Sequence, residues 1–487
     1  MCGIVVVEGK CLPGEMEKML LSIKYRGPDD TGTYIKDNIA LGQVRLSIID
    51  VKGGHQPIFN EDRTKCIVFN GEIYNHKELR AKLKNKHVFS TKTDTEVILH
   101  LYEEEGPDCI KKLDGMFAFA IYDNGKLFIG RDRIGIKPLY FGTNKETIYF
   151  ASEIKALLDC ERVSVFLPGY YYISKEGFTK YYELPDKVSI SADIKVITAM
   201  VERLLEKAVQ KRLMSDVPIG VFLSGGVDSS IIAALMKKNI ENLDSFTVGM
   251  KGADDLYYSK LVADNLKTKH NELIYTREDM LKVLPEVIYH LESFDAPLVR
   301  SAIPSYFLAK LAGEQVKVVL AGEGADELFS GYKYLGKIQE KKDLDLELRK
   351  ITGNLHQTNL QRVDRMTMAH SVEGRVPFLD SEFLSYVISI PVELKQRHDK
   401  QEKWILREAF NEYLPIIITN RPKQKFSDGA GSMELLKEYA EKKITDSDFK
   451  KENNSRVRTK EELLYYRIFK ERLPDKVMQC FGKTEVF

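Results

Sequence analysis

Apolar positions divide the chain into two parts with different periodicities. In the first 185 residues, short β-rich runs occur at 3–7, 66–69, 117–122 and 127–129. Turn residues in the segments NGE, DNGK and RGPDD separate these runs. Helical spacing occurs at 15–24 and near 95–105. This pattern predicts a layered α+β domain over residues 1–185.

A polar stretch at 184–193 precedes a second pattern, in which apolar helices and strands alternate. Helical spacing over 194–214 is followed by a nearly continuous apolar run at 217–223, typical of a buried parallel strand, and then by a helix. The alternation continues with strands at 243–250 and 316–321 and helices at 257–266 and 302–312. We therefore predict an α/β domain with a parallel sheet over 186–487, whose C-terminal part is helical from about residue 335.

Composition excludes several classes of function. The chain has 73 Lys and Arg against 72 Asp and Glu, a net charge of +1, so no electrostatic argument favours nucleic acid or an anionic membrane as a partner. No apolar run reaches the ~18 residues of a membrane span, and no secretory signal is visible. The six cysteines form no CxxC pair, which favours free thiols and a cytoplasmic location. A homodimer is compatible with the sequence, which does not decide the oligomeric state.

Cys2 directly follows the initiator methionine and is a candidate nucleophile. Removal of Met1 would leave a thiol and a free α-amine on one residue. The thiol has a pKa of about 8.5 and the amine a pKa of about 7.7–8.0, so the amine can act as the base for its own side chain. Position alone is weak support, since a lone cysteine is usually a small buried apolar residue.

The segments that follow Cys2 strengthen this interpretation. In order along the chain they are CGI at 2–4, RGPD at 26–29, RLSIID at 45–50, GHQP at 54–57, NGEIYN at 70–75, TD at 93–94 and RDRIGIKPLY at 131–140. This succession closely resembles the class II glutamine amidotransferase domain, an N-terminal-nucleophile hydrolase with layered antiparallel sheets and helices. One departure is Tyr25, where relatives often have histidine.

The resemblance implies a role for each matching residue. Cys2 would attack the glutamine side-chain amide, and the Asn70 amide and the Gly71 backbone N–H would donate to the oxyanion. Arg45 would bind the glutamine α-carboxylate through both oxygens. The residues expected to bind glutamine are Arg45, Leu46, Asn70, Gly71, Glu72 and Asp94.

The segment SGGVDSS at 224–230 lies between the predicted strand at 217–223 and a helix. A strand, a glycine turn and a helix N-terminus present free backbone N–H groups to an anion. Asp228 fits an anion site only if a cation such as Mg²⁺ is bound there as well. The loop lacks the Gly-Lys-Ser/Thr of a Walker A motif and instead resembles the pyrophosphate loop of the ATP pyrophosphatase family.

A second strand and loop support an ATP site. The segment AGEGADELFSGY at 321–332 resembles the second synthetase motif, with alanine at 321 and 325 where serine is usual. The resemblance makes Asp326 the other Mg²⁺ ligand and places Glu323 near the acceptor substrate. The residues expected to bind ATP are Leu223, Ser224, Gly225, Gly226, Asp228, Ser229, Val248, Ala321 and Gly322.

A glutaminase followed by this type of synthetase domain resembles the glutamine-dependent asparagine synthetases. The segments QRVDRMTMAH at 361–370, VEGRVPFLD at 372–380, EKWILRE at 402–408 and RPKQKFSDG at 421–429 support the resemblance. It implies a catalytic role for Lys403 and Glu323 and aspartate binding by Arg300, Arg362 and Glu323. The implied substrates are glutamine, aspartate and ATP, with a γ-glutamyl thioester at Cys2, a β-aspartyl-AMP intermediate and ammonia passing between the sites.

Two alternatives stay open at the level of sequence. One is a related ATP-dependent amidotransferase that acts on a different carboxylate. The other is a non-catalytic binding protein derived from the same family.

Overall fold

The structure is a computed structural model that describes residues 2–191, 193–397, 401–424, 426–431, 433–452 and 454–484. Antiparallel strands dominate the first 180 residues. They are β1 (Cys2–Glu8), β2 (Asp30–Lys36), β3 (Ile39–Arg45), β4 (Ile58–Phe59), β5 (Lys65–Ile73), β6 (Gly115–Asp123), β7 (Lys126–Arg131), β8 (Tyr140–Asn144), β9 (Thr147–Ala151), β10 (Arg162–Val165), β11 (Tyr170–Ile173) and β12 (Gly177–Lys180). Three helices accompany them: α1 (Glu15–Ser22), α2 (His76–Leu83) and α3 (Glu96–Glu105).

These strands form two sheets that pack face to face. The first has the order β10-β8-β9-β1-β3-β2 and the second the order β12-β11-β7-β6-β5-β4. Because side chains alternate across a strand, Ile4 and Val6 of β1 face the second sheet while Val5 and Val7 face α1. Helices α2 and α3 cover the outer face of the second sheet. The result is a layered α+β domain, as the sequence predicts.

A parallel sheet organises the second part of the chain. Its strands are β13 (Ile219–Phe222), β14 (Asp244–Gly249), β15 (Lys269–Ile274), β16 (Val318–Leu320) and β17 (Glu373–Arg375). The order is β15-β14-β13-β16-β17, and every neighbouring pair is parallel. This confirms the predicted α/β class.

Helices surround this sheet and form most of the C-terminal region. The first group is α4 (Ile194–Lys211), α5 (Val227–Lys237), α6 (Asp254–Leu266), α7 (Arg277–Leu291), α8 (Ala296–Gly313), α9 (Ala325–Leu328), α10 (Lys341–Gly353) and α11 (Asn359–Met368). The second group is α12 (Ser381–Ser389), α13 (Val392–Lys395), α14 (Trp404–Ala409), α15 (Ile416–Thr419), α16 (Phe426–Gly429), α17 (Met433–Lys443), α18 (Asp446–Lys451) and α19 (Lys460–Lys470). Among the described residues, none of the helices is long and apolar enough to cross a membrane.

One predicted turn is wrong. Asn70, Gly71 and Glu72 lie inside β5 and pair with β6, whereas the sequence suggested that they end a strand. The strand continues because residues 70–72 pair with β6 in the same register as the residues before them, and this pairing keeps the backbone extended. By contrast, the turn at 123–126 is a hairpin between β6 and β7, with Asn124 and Gly125 both at positive φ.

The two parts of the chain share buried surface. Leu46 and Ile48 of the first part form an apolar cluster with Val318 and Met368 of the second. Residues 181–191 between the parts contain neither helix nor strand. The boundary predicted at 185/186 lies in this segment and stays a prediction.

Candidate active sites

Cys2 begins β1 and is buried, opposite Arg45 of β3 in the first sheet. Its backbone N–H donates to Asn70 Oδ1 at 3.0 Å, a contact that joins the two sheets. Burial raises the pKa of the Cys2 thiol above its ordinary value, so the thiol needs a base to form a thiolate. The arrangement places the backbone nitrogen of Cys2 and the amide of Asn70 side by side.

One group next to Cys2 is available to an oxyanion. Asn70 Nδ2 is buried and has no hydrogen-bond partner among the described residues. A buried amide nitrogen without a partner costs free energy, which a ligand oxygen would offset. Gly71 allows close approach of the backbone at this point, because a Cβ there would lie 2.1 Å from the Met116 carbonyl oxygen.

The charged residues predicted to bind glutamine gather around the same strands. Arg45 donates to the carbonyl oxygens of Ile49 and Asp50 at 3.1 and 2.8 Å, which holds the 49–51 loop against β3. Asp94 accepts a hydrogen bond from the Ile73 N–H at 2.7 Å. Burial raises the pKa of Asp94 to about 6, so a nearby ammonium group would favour its ionised form.

Glu72 connects this site to the parallel sheet. Its Oε1 lies 3.3 Å from the Arg375 guanidinium of β17, while its Oε2 is buried without a hydrogen-bond partner in the described chain. Burial first, and then the charges of Glu373 and Asp94, raise the pKa of Glu72 well above its ordinary value. Sequence reasoning named Glu72 but missed Arg375, although Arg375 belongs to the VEGR segment at 372–375.

The predicted nucleotide loop joins β13 to α5. Gly225 has a φ of +68°, and a Cβ there would lie 2.4 Å from the carbonyl carbon of Tyr258. Ser224 Oγ and Ser229 Oγ lie 3.2 Å apart across the loop. The N-cap of α5 is Gly226, which has no side chain to cap the helix, so the first N–H groups of α5 are suited to an anion.

The second predicted loop lies beside the first because β13 and β16 are parallel neighbours. A Cβ on Gly322 would lie 3.0 Å from the Cβ of Asp228, so the loops touch at this point. Leu223 and Val248 are buried at the carboxyl ends of β13 and β14. Ligands of open parallel sheets bind at this edge, and the predicted ATP residues meet there.

Lys403 lies between the two predicted metal carboxylates. Its Nζ is 2.5 Å from Asp228 Oδ2 and 2.6 Å from Asp326 Oδ1, and its side chain is fully buried. Lys403 has a φ of +60°, a conformation that non-glycine residues rarely adopt and that often marks a functional position. Sequence reasoning placed all three residues in one site, and the structure brings them into contact.

A second lysine, Lys423, was missed. Its Nζ is 2.5 Å from Asp326 Oδ2. Burial would raise the pKa of Asp326, but the ammonium groups of Lys403 and Lys423 outweigh burial and hold it well below its usual range. The RPKQKFSDG segment at 421–429 contained Lys423, but its sequence showed no reason to prefer that lysine over its neighbours.

The two carboxylates fit a divalent cation. Asp228 Oδ1 is buried and has no hydrogen-bond partner among the described residues. Oxygen ligands from one or two carboxylates, completed by phosphate oxygens, are what Mg²⁺ uses in nucleotide sites. Asp228 and Asp326 are therefore suited to hold Mg²⁺ with ATP, while the lysine ammonium groups balance their charge in this state.

The aspartate-binding predictions differ in their surroundings. Arg362 Nη2 lies 2.5 Å from Oε1 of Glu323 in the second predicted loop, so these two predicted residues are in contact. Arg300 on α8 instead pairs with Glu461 of α19, with its Nε 2.8 Å from Glu461 Oε1. Its guanidinium is held by the C-terminal helices, and the structure does not show it in contact with the other predicted aspartate ligands.

Comparison with known proteins assigns both parts of the chain. A family model described as a glutamine amidotransferase domain matches residues 1–209, and one described as asparagine synthase matches 200–351 and 336–479. The glutamine-hydrolysing asparagine synthetase 3 of Arabidopsis thaliana is 41% identical over 97% of this chain and 88% of its own length. Asparagine synthetase B of Escherichia coli K12, also described as glutamine-hydrolysing, is 40% identical over 97% of this chain and 92% of its own. The chain belongs to the glutamine-hydrolysing asparagine synthetase family.

Among solved structures, a glutamine phosphoribosylpyrophosphate amidotransferase from B. subtilis is 19% identical, with a TM-score of 0.33 over 46% of this chain and 61% of that one. The assignment of this chain to the asparagine synthetases does not depend on that distant likeness. It depends on the identity over nearly the whole chain and on the two family models.

Buried ion pairs join the two parts of the chain next to Cys2. Arg26 donates to Cys2 O at 3.0 Å through Nε and to Asp364 Oδ2 of α11 at 2.8 Å through Nη1. The same Nη1 is 2.6 Å from Glu153 Oε1. Tyr25 contacts this cluster by donating to Glu153 and accepting from Lys155 at 2.8 Å. Its hydroxyl therefore belongs to the buried polar cluster between the two parts of the chain.

Proposed function

We propose that the chain makes L-asparagine from L-aspartate, L-glutamine and ATP, and releases glutamate, AMP and pyrophosphate. One observation carries the proposal. Cys2 begins the first strand beside the Asn70 amide, whose nitrogen has no hydrogen-bond partner among the described residues, and Lys403 lies between Asp228 and Asp326 at the end of a parallel sheet. Membership of the asparagine synthetase family supports the choice of substrates.

In the first half-reaction the Cys2 thiolate attacks the side-chain amide carbon of glutamine. Nitrogen leaves as ammonia, a γ-glutamyl thioester forms, and water then releases glutamate and the thiol. The α-amine of Cys2, freed by removal of Met1, is the proposed base. Met1 lies outside the described residues. The Asn70 amide and the Gly71 N–H would stabilise the oxyanion of each tetrahedral intermediate, and Arg45, Glu72 and Asp94 would orient glutamine.

In the second half-reaction the aspartate side-chain carboxylate attacks the α-phosphorus of ATP. The bond to the β-phosphate oxygen breaks, and pyrophosphate leaves as β-aspartyl-AMP forms. Ammonia then attacks the acyl carbon and AMP departs. Lys403 would stabilise the negative charge that builds on the phosphate oxygens. Mg²⁺ held by Asp228 and Asp326 would neutralise phosphate charge when it is bound.

Recognition of aspartate is proposed for the pair of Arg362 and Glu323. The guanidinium of Arg362 can bind a carboxylate, and Glu323 can accept from the aspartate ammonium group. Arg300 is a weaker candidate, because its guanidinium is paired with Glu461 of α19, whereas Arg362 is paired with another of the predicted aspartate ligands.

Transfer of ammonia between the sites is proposed along the contact between the two parts of the chain. The apolar cluster of Leu46, Ile48, Val318 and Met368 connects the segment that follows β3 to β16, the strand before the second predicted loop. Apolar walls would keep ammonia unprotonated, since an ammonium ion is disfavoured without water or a counter-ion. Buried charged groups such as Arg26 and Asp364 lie at the same boundary, so the passage is expected to avoid them.

A Cys2→Ala variant tests the division of labour. It is expected to lose glutamine hydrolysis and glutamine-dependent asparagine formation but to keep synthesis from ammonium sulfate. Cys66→Ala, which removes another buried thiol, is the control and should keep both activities. Loss of the ammonia-dependent reaction in Cys2→Ala, with normal folding, would contradict separate sites.

A second assay tests the acceptor. Release of AMP and pyrophosphate is measured with aspartate and with a panel of other carboxylates. A stronger response to another acid would favour the related amidotransferase, and no pyrophosphate release with any acceptor would favour a non-catalytic protein. A homodimer and a cytoplasmic location stay predictions of the sequence.

A further inference from the structure

A cluster of histidine and glutamate side chains lies on the outer helical layer of the first part of the chain, apart from the residues assigned to either reaction. Glu61 follows β4, His87 follows α2, and His100 and Glu103 lie on α3. One ligand atom from each of these four residues can be chosen so that all lie within 4.8 Å of one another. A search of the described residues for three or more His, Cys, Asp or Glu side chains that could hold a metal ion finds this one group.

The distances match a tetrahedral zinc site. Ligand atoms about 2.0–2.1 Å from a tetrahedral Zn²⁺ lie about 3.3 Å from one another. His87 Nδ1 is 3.4 Å from Glu61 Oε1 and 3.6 Å from Glu103 Oε2. His100 Nδ1 is 2.9 Å from Glu103 Oε2 and 3.9 Å from Glu61 Oε2. Three of these distances belong to one set of ligand atoms, with Glu61 Oε1 and Glu103 Oε2, and they lie within about 0.4 Å of that value before any ion is bound. The fourth distance uses the other oxygen of Glu61.

The donor atoms point to the same class of ion. Two imidazole nitrogens and two carboxylate oxygens suit Zn²⁺, whereas Mg²⁺ and Ca²⁺ prefer oxygen ligands alone. The two imidazole rings of His87 and His100 stack with their centroids 4.5 Å apart, which directs both Nδ1 atoms to the same side.

The outer nitrogens of the two histidines face carboxylates. His87 Nε2 is 3.2 Å from Glu104 Oε1, and His100 Nε2 is 3.7 Å from Glu96 Oε1. Zinc-bound histidines almost always direct their second nitrogen to a carboxylate or a carbonyl, which fixes the ring and strengthens the ligand. His87 therefore shows this arrangement, whereas His100 Nε2 is too far from Glu96 for a hydrogen bond. His100 Nδ1 shares a hydrogen bond with Glu103 Oε2 at 2.9 Å, which a bound zinc ion would replace.

The carboxylate ligands are also held in place. The Val88 N–H donates to Glu61 Oε1 at 2.8 Å, and Asn60 Nδ2 donates to Glu103 Oε1 at 2.7 Å. His100 is fully buried, the side chains of His87 and Glu103 are 10% and 15% exposed, and Glu61 at the rim is 38% exposed. Ligands that are already held lose little conformational entropy when an ion binds.

We propose that Glu61, His87, His100 and Glu103 bind one Zn²⁺ ion as a structural site. Four protein ligands leave no open position for a substrate, so the ion would stabilise the fold and take no part in catalysis. It would tie the loop before β5 and the segment after α2 to helix α3. The site is independent of the proposed asparagine synthesis, and neither proposal fails if the other does.

A proton is the competing occupant of the cluster. Burial opposes protonation of His100, yet the carboxylates of Glu103 and Glu96 raise its pKa to about 9. Without zinc, a protonated His100 would hold the two carboxylates together. Zinc retention separates the two occupants, because a cluster held only by a proton would keep no metal.

Zinc retention by the full-length chain is the first test. The protein is stripped with a chelator, incubated with Zn²⁺, desalted and analysed for metal content by mass spectrometry. Wild type is expected to keep one zinc per chain, and His87→Ala is expected to keep none. His55→Ala removes an exposed histidine outside the cluster and should keep zinc like wild type. Equal zinc in wild type and His87→Ala, or no zinc in wild type, overturns the proposal.

A milder variant guards against misfolding of His87→Ala. Glu61→Gln keeps the acceptor for the Val88 N–H and removes only the charge. Loss of a hydrogen-bond partner of a metal ligand lowers metal affinity by roughly 10–100-fold. Because Glu61 would bind the ion directly, Glu61→Gln is expected to weaken Zn²⁺ binding by more than this in a calorimetric titration. Zn²⁺ should also raise the melting temperature of wild type but not of Glu61→Gln. An unchanged affinity or an equal shift in melting temperature would overturn the proposal.

Discussion

Replacement of Asn70 by alanine tests the proposed glutamine site through a single side chain. In the structure the side-chain oxygen of Asn70, Oδ1, accepts a hydrogen bond from the Cys2 N–H at 3.0 Å. The side-chain nitrogen, Nδ2, is buried without a hydrogen-bond partner among the described residues. Alanine therefore removes one existing hydrogen bond, worth about 1 kcal/mol of folding stability. It also removes one donor that would act only when the oxyanion forms.

The size of the effect follows from the second loss. Removal of one oxyanion donor costs about 3–4 kcal/mol of barrier, and about 1.4 kcal/mol corresponds to a factor of ten in rate. The kcat for glutamine hydrolysis should fall by about 10²–10³, with little change in KM, because the donor acts mainly in the transition state. Asn70→Asp keeps the acceptor for the Cys2 N–H and places a carboxylate beside the oxyanion, so it should lose at least as much activity with a smaller loss of stability.

The assay follows glutamate release and, in parallel, asparagine formation from ammonium sulfate. The ammonia-dependent reaction is the internal control, since it needs the synthetase site and an intact fold but no oxyanion donor at Asn70. Two results would refute the reasoning: glutaminase activity within about threefold of wild type, or an equal fall of both activities in a folded Asn70→Ala variant.

Three further variants test the interface, the nucleotide loop and a buried carboxyl. Arg26→Met removes the shortest ion pair of buried Asp364, which keeps only its longer pairs with Arg365 and Lys137. It should lower the free energy of unfolding by up to about 3–5 kcal/mol, measured by denaturant titration. Gly225→Ala forces a Cβ against Tyr258 at a φ of +68° and should abolish aspartate-dependent pyrophosphate release while glutamine hydrolysis continues. Burial, followed by the charge of the adjacent aspartate, raises the pKa of Glu327 to about 7 from its ordinary 4.5. The folded chain therefore holds this proton more tightly than the unfolded chain, so the free energy of unfolding falls as pH rises from about 4.5 to 7. Glu327→Gln should remove this dependence and raise the free energy of unfolding at pH 8 by up to about 3 kcal/mol.

Controls and opposing outcomes are specific to each variant. Arg472→Met breaks an exposed ion pair and should cost less than about 1 kcal/mol; a similar small loss for Arg26→Met would show that the interface pair is unimportant. Gly252→Ala places a Cβ in open space at positive φ and should keep both activities, whereas normal pyrophosphate release by Gly225→Ala would contradict the close packing. An unchanged pH dependence in Glu327→Gln would show that this carboxyl does not hold its proton.

Much of the candidate chemistry was predictable because it lies in contiguous segments. The order strand, glycine loop and helix at 217–236 is visible in the apolar pattern, and the carboxyl end of a parallel strand directs such a loop to the sheet edge. Asp228 follows from its place in that loop. The position of Cys2 at the start of β1 similarly follows from the apolar run that comes after it.

Other residues of the sites could not be predicted in this way. Lys423 is separated from Asp326 by 97 residues, and its ion pair depends on how the C-terminal helices pack on the sheet. Arg375 meets Glu72 only because β17 is the edge strand that lies against the first part of the chain. The turn predicted at 70–72 was wrong because pairing with β6 extends the strand through a segment whose local composition favours a turn.

The sequence by itself determined the two fold classes, the positions of the glycine loops and the identity of most of the groups that would carry the chemistry. These depend on local periodicity and on short segments, which act within a few residues of the chain. Only the tertiary structure decided which charges meet: Lys403 between Asp228 and Asp326, Arg26 against Asp364, and the four ligands of the proposed zinc site. Such contacts join residues far apart in the chain. They form only when the burial of apolar surface offsets the loss of chain entropy that closing the intervening loops requires.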